Sequence, residues 1–361
     1  MHLTIDIREA CRQKRAGKGQ WTFHFVSELL ERDIGLTLLT DAPLPSVWDT
    51  KMNPTHGPQR TCVLLTQRGI AWHWAAARYT RSETGSDVYV SPTSYIVPRL
   101  LGKRVPFVPI VHDLIAFRDE PHDRKARLIE QITLKKTAEA AHHICTVSRA
   151  TTSDLLARFP ALPRSKVSAI FAGPVFEING KNQPDGKTIL SIGTLSPRKN
   201  QLRLIQAFAK LPEHLRSRHR LILIGGRGWD DAPIIEAANH TENTEWKSYL
   251  PDEDCTKILM HATVLAFPSL YEGFGMPVLD ALRAGLPVLT SDRGSMREVA
   301  GDAAHFVDPE DVSSIASGLE RLLTDDTLRK NLAARGLERA DVFSWPKTVD
   351  LFLEAIGTIK S

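Results

Sequence analysis

Short apolar runs alternate along the chain with stretches whose apolar residues recur at helical spacing. Residues 2–7, 87–90, 107–111 and 143–147 read as strands in the first half, and 188–193, 221–226, 263–267 and 285–290 in the second. Phe23, Val26, Leu29 and Leu30 mark one face of a helix over 20–32, and 123–141 reads as a long helix. Leu202, Ile205 and Phe208 do the same for 201–210, while 295–300, 312–323 and 327–339 are further helices and 345–359 closes the chain. Alternation of this kind predicts an α/β protein with parallel sheets covered by helices on both faces. Residues 41–60, rich in Pro, Thr and Asn, predict an excursion rather than packed structure.

The chain has 361 residues, more than the roughly 250–300 at which single cores stop growing. Two domains are expected. The break is placed at 173–186, GPVFEINGKNQPDG, which divides the chain into 1–172, the linker, 187–342 and a tail over 343–361. With 42% hydrophobic and 24% charged residues, the composition is that of a soluble globular protein. No apolar run approaches the roughly 18–20 residues of a membrane helix, and residues 1–16 are too polar for a secretory signal, so a cytoplasmic location is expected. Cys11, Cys62, Cys145 and Cys255 lie far apart without CxxC spacing and read as reduced thiols rather than a disulfide frame or zinc site. Charge is uneven: residues 1–172 carry 24 Lys+Arg against 16 Asp+Glu, the remainder 22 against 26. A basic first half points to an anionic acceptor or membrane surface; the absence of any aromatic-basic motif argues against nucleic acid.

The densest candidate chemistry lies in 268–285, PSLYEGFGMPVLDALRAG. A strand leads into the turn Glu272-Gly273-Phe274-Gly275 and then a helix with Pro277 near its start and Gly285 past its end. Glu272 and Asp280 flank backbone amides and the positive end of a helix dipole, which suits a ligand with an anionic middle and hydroxyls at both ends, such as a nucleotide sugar. Arg198 and Lys199 stand side by side where the strand 188–193 gives way to a helix; a guanidinium fork and a point charge make a sensible pair for two phosphates. His112 and Asp113 follow directly on the strand 107–111, and residues past the carboxyl ends of parallel strands line ligand crevices. Gly17-Lys18-Gly19 invites a dinucleotide reading, but Thr22 stands where GxGxxG needs its third glycine and the loop is too long; a plain surface loop is the alternative. Asp252-Glu253-Asp254 spells a D-x-D, yet Pro251 before it and Ile258-Leu259 after it mark a helix N-terminus, and no other spacing suggests a metal. Ser148 reads as a helix cap, and Trp72-His73-Trp74 as either local core or acceptor-side surface.

In this wording the chain resembles the family-4 retaining glycosyltransferases. The E-G-F-G turn with a second acid eight positions on, the V-x-x-x-H-D segment ending at His112-Asp113, the G-T-x-x-P-R-K-N run and the glycine-rich first loop all match, except that Asp280 stands where glutamate is usual. The resemblance implies two Rossmann-like domains facing a central cleft, the GT-B fold, with the tail helix crossing back to the first domain as a hinge. It implies metal-independent, retaining transfer of a hexose, with mannose from GDP-mannose the preferred donor ahead of UDP-sugars and no other cofactor. The acceptor is a hydroxyl of a glycan or of a lipid-linked saccharide, the latter at an anionic inner membrane surface. By the same resemblance Glu272, with the amides of Gly273, Phe274 and Gly275, positions the donor sugar, and Asp280 holds the ribose. Arg198 and Lys199 grip the diphosphate and stabilise charge on the leaving group, His112 supports the sugar near C6, and Gly17 and Gly19 leave space for donor phosphate or acceptor. Attack comes from the front face, with the departing phosphate accepting the acceptor's proton. A nucleotide-sugar epimerase and a non-catalytic sugar-nucleotide binder are the rivals.

Overall fold

The computed structural model describes residues 1–52, 57–82, 85–118, 124–357 and 359. The chain forms two compact units: Met1–Phe117 with Arg124–Gly173 and Ser344–Ser361, and Pro174–Phe343 with Arg118–Asp123.

The first unit holds seven strands: β1 (His2–Asp6), β2 (Gly35–Thr40), β3 (Arg60–Leu64), β4 (Val88–Ser91), β5 (Phe107–Val111), β6 (Ile144–Thr146) and β7 (Val167–Ala169). They pair in the order β3-β2-β1-β4-β5-β6-β7, every pair parallel. The central strands β2, β4 and β5 are buried along their whole length, which is why β4 and β5 read as apolar runs. The helix Gly17–Leu29 buries Trp21 and Phe25, stacked at 4.7 Å, and Phe25 meets Phe352 edge-on at 5.0 Å. Phe352 belongs to the closing helix Trp345–Gly357, whose buried Val349, Phe352 and Ile356 at helical spacing make the chain end part of this unit's core.

The second unit holds β8 (Thr188–Ile192), β9 (Arg220–Ile224), β10 (Thr244–Lys247), β11 (Val264–Phe267), β12 (Val288–Ser291) and β13 (Ala304–Val307), again all parallel, in the order β10-β9-β8-β11-β12-β13. Leu204, Ile205 and Phe208 from one helix and Ile315, Leu319 and Leu322 from another fill its core.

Three segments differ from expectation. Within 41–60, Trp48 is fully buried, stacked on Phe23 at 5.3 Å and donating its indole N–H to Ser27 Oγ; this aromatic anchor turns an excursion into packed structure, while 53–56 lie outside the described residues. The expected linker is stitched into the second unit from 174 on: Asn182 Nδ2 donates to the carbonyls of Leu259 and Ala262, and Asp185 accepts the amides of Lys187 and Thr188. The long helix runs Arg124–Ala140; Asp123, expected as its first residue, lies outside the described residues.

Candidate active site

In the second sheet the strand order reverses between β8 and β11, the position where open α/β sheets bind ligands at the carboxyl ends of their strands. The two segments singled out in the sequence leave the sheet at this point. From β8 the chain passes through Gly193 into a single 3-10 turn, Pro197–Lys199, and from β11 through Pro268 into the glycine turn. Asn200 ends the 3-10 turn in the left-handed conformation, φ 63°, and its Nδ2 donates to the carbonyls of Pro268 (2.9 Å) and Pro309 (2.7 Å). Leu270 N donates to Arg198 O at 2.9 Å, so the two loops are also joined main chain to main chain.

This stitching brings three charges together. Lys199 Nζ lies 2.7 Å from Glu272 Oε1 and Arg198 Nη1 3.0 Å from Glu272 Oε2, while the same Nη1 donates to Tyr271 O at 2.7 Å. The Glu272 side chain is 7% exposed. Burial alone would raise its pKa, but the charges of Arg198 and Lys199 outweigh that and hold the carboxyl below its ordinary value. The site therefore keeps one carboxylate and two cations ionised in a shielded place, a net positive charge suited to a diphosphate.

The turn is held from below. Ser295 Oγ donates to Glu272 O (3.1 Å) and Phe274 O (2.8 Å), and Ser295 N donates to Glu272 O (3.1 Å). Gly294, at φ 58°, sits so close that a Cβ would fall 2.3 Å from Glu272 O. Gly275 caps the following helix, Met276–Ala284, at φ 98°, with Pro277 in its first turn. Gly273 and Phe274 complete the bend, and Phe274 packs edge-on against Phe343 at 5.5 Å.

Asp280 is on this helix but engaged elsewhere. Its Oδ1 accepts the amides of Val175 (2.6 Å) and Phe176 (3.2 Å), and burial pushes its pKa up to about 7, against the pull of those two bonds. The residue expected to hold ribose is thus fastened to the chain's own backbone.

In the first unit, His112 follows β5 and is buried. Its Nε2 lies 2.7 Å from Pro92 O; a carbonyl only accepts, so Nε2 carries the proton and Nδ1 is left as an acceptor. Burial first, then the Lys18 charge, push its pKa down to about 3, and the imidazole is neutral. Trp21 meets its ring edge-on at 5.2 Å. Asp113 Oδ1 accepts Ile115 N at 3.1 Å and so shapes the loop after the strand. Gly17 and Gly19, expected in a flexible loop, form the first turn of a helix, where the missing Cβ of Gly19 admits Glu9 O to 2.7 Å of its place. Ser148 caps its helix by accepting Thr151 N at 3.0 Å. The acids Asp252, Glu253 and Asp254 occupy a helix's first turn, where Lys257 pairs with Glu253 at 2.8 Å. The aromatic cluster divides: Trp72 is core, under the Arg8 guanidinium at 3.5 Å, and Trp74 is exposed.

Sequence reasoning missed Asn200 and Ser295, whose partners are distant carbonyls, and Glu130. The last is on Arg124–Ala140; among the described residues its buried Oε1 has no hydrogen-bond partner, and burial pushes its pKa up to about 7. Its four-residue spacing from buried Leu134 was the available signal.

Comparison with known proteins gives this geometry its context. The chain is 34% identical over 280 residues to O-antigen chain mannosyltransferase B of Escherichia coli, covering 72% of this chain and 71% of that one. Residues 176–339 match the family model of the glycosyl transferases group 1. The chain belongs to the group 1 glycosyltransferases. Within this family it is also 32% identical over 171 residues to the serotype-specific mannosyltransferase WbdA of Escherichia coli, covering 46% of this chain but only 21% of that longer protein. Among solved structures, Anabaena Alr3699/HepE in complex with UDP and glucose superposes with a TM-score of 0.78 at 16% identity, over 99% of this chain and 100% of that one. The fold is the GT-B type of such glycosyltransferases, and the family match spans Arg198, Lys199, Glu272 and Asp280 together.

Proposed function

We propose that this glycosyltransferase moves mannose from GDP-mannose to a hydroxyl of a glycan or lipid-linked saccharide, with retention of anomeric configuration and without a metal ion. The observation that carries the reading is the convergence of Arg198 and Lys199 on Glu272 at the strand-order reversal. Mannosyltransferases among the relatives favour the sugar. A diphosphate entering beside these cations binds to charge already in place, and the same charge stabilises the leaving group as its bond to the anomeric carbon lengthens. Glu272 then holds sugar hydroxyls, aided by the bend through Gly273, Phe274 and Gly275. Asp280 acts on the nucleoside end through the Val175–Phe176 segment that it fixes. His112 accepts a hydrogen bond from a sugar hydroxyl at Nδ1, and exposed Gly17 keeps the start of the first helix open to substrate, while buried Gly19 makes room for Glu9 O instead. The leaving phosphate takes the acceptor's proton on the face it departs from. The enzyme works on the cytoplasmic side, where nucleotide sugars are made.

The test is turnover of GDP-mannose against UDP-glucose and UDP-galactose with an acceptor mixture, in EDTA, with the anomer of the product read by NMR. Faster use of a UDP-sugar overturns the donor, dependence on added metal overturns the metal-free chemistry, and an inverted product overturns retention. Consumption of donor without any acceptor would favour an epimerase, and donor binding without turnover a sensor.

A further inference from the structure

The strand order of the first sheet also reverses, between β1 and β4, so the carboxyl ends of these strands form a second place of the kind that binds ligands. Asp6 closes β1 there, and Arg8 folds back on it as a fork, Nε to Oδ1 at 3.0 Å and Nη2 to Oδ2 at 2.8 Å. The helix Ile70–Ser82 starts at the same end of the sheet, after β3. Its first turn sets Trp72 under the Arg8 guanidinium, 3.5 Å from the ring centroid, and His73 edge-on to Trp72 at 5.5 Å. The sheet face below this helix is polar. Thr4 and Asp6 are two apart on β1 and Thr4 is paired with Tyr89 of β4, so all three point to one side, where Tyr89 shares a core with Trp72. Among the described residues, Thr4 Oγ1, Trp72 Nε1 and His73 Nδ1 are buried without a hydrogen-bond partner.

Each such orphan costs about 1–3 kcal/mol, and three in one small region call for a partner that the chain does not supply. Trp72 Nε1 only donates, while Thr4 Oγ1 and a neutral imidazole can donate or accept, so a hydroxyl serves all three. Charge narrows the choice further. Burial, then the Arg8 charge, push the His73 pKa down to about 4, and the ring is neutral. Arg8 is matched by Asp6, and nearby Asp41 by Arg12 at 3.1 Å, so this end of the sheet is balanced where the site on Glu272 is cationic. A phosphate or carboxylate would lose its hydration here for no net attraction. We propose that the carboxyl end of β1 binds an uncharged hexose ring of the acceptor. Arg8, whose side chain is 15% exposed, and His73, at 8%, are the groups that reach the surface and hold ring hydroxyls; the fork leaves Arg8 Nη1 for this contact. Thr4 and Trp72, deeper, are met through bridging water. The inference rests on the proposed function for calling this ligand the acceptor and gives that acceptor a neutral saccharide end, but the binding itself needs no donor.

The test is titration of the full chain, without donor, with methyl α-mannoside and with mannose-6-phosphate, read by saturation-transfer NMR beside thermal melts. Wild type should bind the neutral mannoside at least about fivefold tighter than the phosphate. His73→Leu should weaken mannoside binding at least about tenfold while melting at or above wild type, because it deletes an unpartnered polar atom. Arg8→Lys keeps a charge opposite Asp6 without the fork and should also weaken binding. Glu272→Ala should retain it; loss of binding in that variant would put the hexose in the other unit's site and overturn the proposal. Binding unaltered in both His73→Leu and Arg8→Lys, or tighter binding of the phosphate, overturns it too. So does a lowered melt with unaltered binding, which would leave the cluster as a seat for structural water only. Binding lost as expected in the variants, with no transfer by wild type to any mannoside, would count against the proposed function alone. Normal transfer with acceptor KM unchanged in both variants would count against this inference alone.

Discussion

Lys199→Ala removes one of the two cations on Glu272 without orphaning the carboxylate. At 2.7 Å and 3.0 Å the two attractions are nearly equal, about 6 kcal/mol each at an effective dielectric of about 20. Half of the attraction therefore survives through Arg198, and Glu272 stays ionised. The cost to folding should be that of one hydrogen bond to a charged group, about 1.5–3 kcal/mol. The cost to catalysis is different in kind, because the ammonium is needed most when charge builds on the departing phosphate. Losing one preorganised donor of that sort lowers kcat about 100- to 1,000-fold, or about 2.7–4 kcal/mol. The assay is steady-state release of nucleoside diphosphate, with kcat and KM for donor measured beside a thermal melt. Lys199→Gln, which keeps part of the aliphatic stem but loses the ammonium held 4.8 Å over the Phe267 ring, should restore part of the melt and not the rate. A variant with lowered stability but kcat within about threefold of wild type would show that Lys199 only braces the turn, and the mechanism would fall.

Ser295→Ala deletes the side-chain bonds to Glu272 O and Phe274 O and should cost about 1–3 kcal/mol in a urea melt while raising donor KM; an unchanged KM would mean that the turn does not need this support. Asp280 has a folded pKa raised from 3.8 to about 7, so the folded state keeps a proton that the unfolded chain releases, and stability falls as pH rises through that window before levelling off. Asp280→Asn can keep both amide bonds and should flatten that fall in melts between about pH 4 and about pH 7; equal slopes in variant and wild type would refute the assignment. His112 remains neutral down to about pH 3, so His112→Asn should lower kcat without moving the acid limb of the pH–rate profile between about pH 5 and about pH 8.

Strands buried on both faces were legible where little that is polar interrupts them: β5 (FVPIV) and β11 (VLAF) stand out as wholly apolar runs, and β8 (TILSI) as an apolar run with one interior serine. Edge strands were not. β10 (TEWK) and β3 (RTCVL) are paired on one side only and carry polar residues, three of the four in β10 and the first two in β3, and β7 is three residues long. β2 (GLTLLT) is interior, but its threonines break the run. In the site, Arg198, Lys199 and Glu272 could be found because each lies within a local strand–turn pattern. Asn200, Ser295 and the true partners of Asp280 could not, since their bonds join positions 68, 23 and 105 residues apart. Nothing local to a helix position says which strand of backbone passes over it. Trp72 and Trp74 make the same point two residues apart, one under the core and one in water.

The double grip of Asn200 on the carbonyls of Pro268 and Pro309 has a consequence for selectivity. A turn clamped by its own side chain cannot slide along its neighbour, so the spacing between the cations and the glycine bend works as a fixed gauge. On the proposed reading, that gauge measures the length of whatever joins nucleoside to sugar. A diphosphate spans it; a monophosphate-linked sugar would leave one end of the caliper empty, and discrimination between them would require no moving part.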